Sequence, residues 1–187
     1  MPGKNAREAI AYFAGFLNET LGCLTDRKLA AHQEADNTFK LFYKDAVPVA
    51  SKSGTLYYLQ VTQVCNTQVV GDGTFKAHTR HYSYVFSDST DASNYGVLSY
   101  HWHPNDFSLR DPHLHIRISQ ELGYPEIERR ISRAHFPTSR VCLEDFAFLL
   151  LNYYDIKSPL DRSKYLRILK RNKRAFSKGA TWTVQCP

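Results

Sequence analysis

The sequence predicts an α+β fold: an antiparallel sheet of about five strands flanked by an N-terminal helix and two C-terminal helices. Three observations predict it. Apolar residues near the N-terminus recur at helical spacing. From Thr38 the pattern changes to short β-branched and aromatic runs between turn-rich stretches. After Ser119 helical patterns return. The 187 residues suit one domain, 1–187, able to bury roughly 70% of the surface its unfolded chain exposes.

Residues 5 to about 35 read as helix, with Ala9, Ile10, Phe13, Phe16, Leu17, Leu21 and Leu24 on one stripe. Gly15 and Gly22 weaken that pattern, and Asp26 is placed to start a second short helix. Strands are expected near 38–44, 55–65, 78–87, 95–103 and 113–119, separated by SKSG, GDG, SDSTDASN and similar turn-prone stretches. The short connections suit an antiparallel meander. Residues 124–133, YPEIERRISR, read as a short helix or helical turn. In the next helix Cys142 occupies the N-cap position and Asp145 the third helical position, and the run that follows is apolar on nearly all sides. For the last helix Ser158 as N-cap, Pro159 at the first position and Asp161 at the third form a helix-start signal. Leu160, Tyr165, Leu166 and Leu169 then face the body, and Gly179 ends the helix.

The net charge of +6 is unevenly distributed. Residues 156–187 hold nine Lys/Arg and one acid, whereas the rest of the chain holds fifteen basic and seventeen acidic groups. The basicity thus belongs to the C-terminal helix, residues 158–178, which has the character of an appendage docked on the body. Eight Lys/Arg between Arg162 and Lys178 have almost no interspersed acids to pair with. Such a face is either simply solvated or a site for polyanions, RNA more than DNA; Arg162, Arg167, Lys170, Arg171, Lys173 and Arg174 are the candidate nucleic-acid-binding residues. An acidic partner protein is the third option. That helix has no exposed Trp/Phe edge for a membrane, and the longest apolar run, Phe146 to Leu151, is too short to span one. The segment MPGKNAREAI has no signal-peptide core, and Cys23, Cys65, Cys142 and Cys186 are widely spaced without a C-x-x-C. These features lead us to expect a cytoplasmic protein with reduced thiols.

The stretch YHWHPNDFSLRDPHLHIR holds four of the eight histidines in two H-x-H pairs. On a strand His101 and His103 point one way with Trp102 opposite, and His113 and His115 repeat the arrangement around Leu114. Whether the pairs share a face depends on register. His135 is a further candidate for the same neighbourhood. Three readings stay open. In the first, His113 and His115 are the main acid–base residues, His101, His103 and His135 are secondary ones, and Arg117 or Arg110 stabilises charge on a phosphate; this is the chemistry of a metal-independent ribonuclease. In the second, His101, His103, His113 and His115 hold zinc, iron or nickel, with a carboxylate or carbonyl behind a ligand, for which Asp106 or Asp111 is placed. In the third, the histidines are polar strand residues that only hydrogen-bond.

Tyr82 and Tyr84 on one strand are followed by H-W-H-P, P-H-L-H, H-F-P-T and V-C-L-E-D-F. Over residues 80 to 152 this order resembles small bacterial proteins of the TumE type, toxins of toxin–antitoxin pairs. The resemblance implies an endoribonuclease-like toxin, a hydrolase without a cofactor, with a cognate antitoxin protein as partner. It assigns no catalytic residue. At Cys142 the family pattern prefers Ser as the helix cap.

Overall fold

The computed structural model describes residues 2–70, 73–91, 96–104, 110–117, 130–131 and 133–179. The elements are β1 (Pro2–Gly3), α1 (Ala6–Leu21), β2 (Ala30–Ala35), β3 (Thr38–Phe42), β4 (Val47–Ala50), β5 (Leu56–Val69), β6 (Phe75–Ser87), β7 (Leu98–Trp102), β8 (His113–Ile116), β9 (Phe136–Pro137), α2 (Leu143–Tyr153) and α3 (Arg162–Gly179). One antiparallel sheet runs β2-β3-β5-β6-β7-β8-β9, with β4 beside β5 and β1 beside β6. The fold is α+β, but the sheet has nine strands among the described residues where about five were expected. The five expected strands are β3 and β5–β8. The additional ones lack a strand pattern: β2 reads AAHQEA with five of its six residues exposed, β4 contains Pro48, and β1 and β9 are two residues each.

The N-terminal helix is shorter than its apolar rhythm predicts. The Asn5 side chain caps it by accepting from the Glu8 N–H at 2.9 Å. It stops at Gly22, whose N–H donates to the Asn18 carbonyl at 2.8 Å. The Asn18 side chain then accepts from the Leu29 N–H at 2.8 Å and turns the chain into β2, so no helix starts at Asp26. Of the helix expected at 124–133, Arg130, Ile131 and Arg133 are helical, and the remainder lies outside the described residues.

Cys142 stands at the N-cap of α2 as expected, yet it does not cap with its side chain. Its thiol donates instead to the Asp145 carboxylate, 3.3 Å away. The start of α3 lies later than the Ser-Pro signal suggests. The Asp161 carboxylate accepts from the Lys164 N–H at 2.8 Å and from the Ser163 hydroxyl at 2.6 Å, which makes Asp161 the capping side chain. Ser158 donates to the Cys23 carbonyl at 2.7 Å and anchors the approach to the helix.

Period-two alternation divides the sheet into two faces. One face carries Leu41, Leu59, Val61, Tyr82, Tyr84, Phe86 and Leu98, all buried, and packs on the helices. Phe146 of α2 lies 5.6 Å from the Tyr84 ring and edge-on to Tyr100. α3 docks on α1 and α2 through buried Tyr165 and Leu169 and a buried polar junction. There the Asn172 amide donates to the Thr20 hydroxyl and the Phe16 carbonyl, and Thr20 donates to the buried Glu144 at 2.8 Å. The opposite sheet face carries the histidines.

Candidate functional site

Register decides what alternation alone leaves open. His101 pairs directly with His113, and Ser99 with His115, so both H-x-H motifs share one face. In the β8–β9 pairing His113 faces Pro137 and Leu114 faces Phe136, which places His135, one residue before β9, opposite His115. The His115 and His135 ring centroids are 4.4 Å apart, and each lies about 5 Å from that of His113 (5.1 and 5.0 Å). One ligand-capable nitrogen from each of His113, His115 and His135 lies within 4.8 Å of the others. His101 adjoins this group, with centroids 5.3 Å from His115 and 5.8 Å from His113. Asp111 contributes its backbone carbonyl, 2.9 Å from His113 Nδ1, and Asp106 lies outside the described residues. A carbonyl only accepts, so Nδ1 is the donor in this contact.

His103 lies on the same face but leads away from the group. Its ring is 5.8 Å from His101 and 5.5 Å from His81 of β6. His81 carries no H-x-H signal in the sequence. A bulge between Val64 and Cys65 of β5 pairs Val64 with His81 and Cys65 with Thr79, leaving Arg80 as the extra residue. His78 and His81, three apart, therefore both point to the histidine face. In the register His32 pairs with Lys40 and Lys40 with Val64, so His32 shares it too. Tyr82, Tyr84 and Tyr100, on the same strands, face the helices instead.

Burial, and after it repulsion from His115 and the other rings, pushes His101 down to about 3. Burial, then His135 and His113, pushes His115 down to about 4, and His135 is lowered as well, by desolvation and by His113. These three imidazoles are neutral at neutral pH. The buried Ser99 hydroxyl, opposite His115, has no hydrogen-bond partner among the described residues.

The two candidate arginines lie on either side of β8. Arg117 forms an ion pair with Asp88, and Arg110 is exposed ahead of β8. Arg140, which the sequence did not single out, lies 3.8 Å over the Trp102 ring on the helix-facing side, next to the Val141 N–H that donates to the Tyr82 hydroxyl. This segment ties the chain after β9 to the sheet.

Arg162, Arg167, Lys170, Arg171, Lys173 and Arg174 are all exposed on α3. The acids missing from the helix itself come from its neighbours: Arg171 pairs with Glu19 of α1, and Lys173 with Asp145 of α2 at 2.6 Å. α3 belongs to the helical layer, so the sheet separates its cations from the histidines. No described helix is long and apolar enough to cross a membrane. No family model matches the chain, and no curated protein or solved structure matches it.

Proposed function

We propose that this protein is a histidine-ligated metal protein whose centre is His113, His115 and His135, with His101 as the neighbouring fourth imidazole. The observation that carries this reading is the convergence of three ligand-capable nitrogens within 4.8 Å. Nitrogens on one tetrahedral ion stand about 3.4 Å apart, so small ring rotations suffice. Zinc, iron and nickel all accept imidazole nitrogen. The ligands must be neutral; burial and the neighbouring rings hold His115 down to about 4, and His135 is lowered as well. The Asp111 carbonyl on His113 Nδ1 supplies the orienting contact that metal-bound histidines usually have. Three protein ligands leave a position for water or a substrate oxygen, which suits metal-assisted hydrolysis. Metal analysis of the purified protein tests this reading: one equivalent of a transition metal, lost in His115→Ala and His135→Ala, is expected. Metal-free protein that takes up no zinc, iron or nickel would overturn it.

The second reading, a metal-independent endoribonuclease of the TumE toxin type with an antitoxin partner, is favoured by the motif order over residues 80–152. It needs a protonated imidazole as general acid, and His101 at about 3 and His115 at about 4 lack that proton at neutral pH. RNA cleavage that persists in EDTA and disappears in His113→Ala would favour it over the metal centre. The buried free thiols Cys23, Cys65 and Cys142 suit a reducing compartment such as the cytoplasm.

A further inference from the structure

We infer that the sheet face opposite the helices is a binding surface for single-stranded nucleic acid, laid across β3, β5, β6 and β7 toward the histidine group. The inference rests on the histidine centre only for where chemistry would occur, and binding is separable from it. Two cross-strand rows run over this face. Lys40, Val64 and His81 form one by register, and the His81 ring meets His103 at its end. Phe42, Thr62, Ser83, His101 and His113 form the other. From β3 to β8 the second row spans about 19 Å at the usual strand spacing. The first row leads to the second, and the second ends at His113 of the candidate centre.

The chemistry along the rows suits one kind of ligand. Phe42, His81 and His103 present flat, half-exposed rings, and the Lys40 ammonium lies 5.1 Å over the Phe42 ring. Lys40 and Arg80 both act on His81 as positive neighbours, with Glu34 the opposing acid. The half-exposed Thr62, Asn66 and Ser83 add hydrogen-bonding groups between the rings. Flat rings interleaved with cations bind unpaired bases and their phosphates together. A duplex hides its base faces, and an acidic peptide has no use for the stacking rings. The cations of α3 lie beyond the sheet and cannot hold the strand segment that reaches the histidines.

Fluorescence anisotropy tests this with the full chain in EDTA, so that metal loading and cleavage do not enter. The probes are labelled 12-residue RNA and DNA single strands of mixed sequence and the duplex of the same sequence. Binding of the single strands, with the duplex at least about tenfold weaker, is expected. Lys40→Glu with Phe42→Ala should weaken binding about tenfold or more, Lys40→Glu alone about threefold, and Phe42→Trp should retain it. Lys170→Glu with Arg174→Glu should change it less than about threefold. Binding lost in the α3 variant and intact in the Lys40/Phe42 variant would overturn the inference, as would equal affinity for duplex or no affinity for single strands. Protein that binds strands but no metal would sink only the metal centre.

Discussion

The two faces of β6, β7 and β8 are built from alternate residues of the same strands, yet they obey different physics. On one face Tyr82 and Tyr84 stack at 4.6 Å, and Phe86 and Leu98 complete an apolar surface under α2. Rings of this size stabilise the fold through the area they remove from water. On the other face His101, His113 and His115 lie under His135, close enough to repel one another if protonated. That crowding offers the fold little. The helical face holds the protein together, and the histidine face is where its chemistry belongs.

Substitutions can break this contrast. The largest expected effect is on the helical face: Phe146→Ala, at a fully buried ring against Tyr84 and Tyr100, should cost about 3–5 kcal/mol in urea unfolding. Next, Asn172→Ala at the junction of α1, α2 and α3 should cost about 1–3 kcal/mol, because it leaves buried Thr20 and its neighbours with fewer partners. On the histidine face, His135→Ala should cost less than about 1 kcal/mol in metal-free protein, since that ring is exposed. The same variant should weaken metal binding more than about a hundredfold. A stability loss on the scale of Phe146→Ala would mean that the histidines are packing residues.

Acid sharpens the same contrast. His101 and His115 have folded values of about 3 and about 4 against an ordinary 6.5, so the unfolded chain binds more protons between those limits. Stability should therefore be fully present above about pH 6.5 and fall as the pH drops toward 4. Metal should be released over the same range, as protons compete for the nitrogens. Chemical unfolding of metal-free protein at pH 7 and pH 5 checks the sign. His101→Gln should flatten the dependence, and a protein more stable at pH 5 than at pH 7 would contradict the burial of these rings.

Much of this architecture was legible in the chain. The expected strands at 38–44, 55–65, 78–87, 95–103 and 113–119 correspond to β3, β5, β6, β7 and β8, because their alternation and turn residues are local signals. β2 escaped because its side chains are mostly exposed and follow no apolar pattern; it exists through its backbone pairing with β3. The α1 boundary was overrun because Gly22 and the Asn18 side chain, rather than the apolar rhythm, end the helix. Asp111 stands behind His113 through its backbone carbonyl, one of the two kinds of group expected there. On α3 the cations were visible, but Glu19 and Asp145, which pair with two of them, come from other elements.

The sequence by itself determined the strand and helix periods, the same-side placement within each H-x-H motif, and the concentration of charge on α3. These follow from backbone geometry a few residues at a time. Only the tertiary structure decided that His101 meets His113, that His135 meets His115, that a bulge turns His78 and His81 to the same side, and that the cationic helix docks behind the sheet. Those are properties of register and docking between segments far apart in the chain, and side-chain packing across the whole fold selects them.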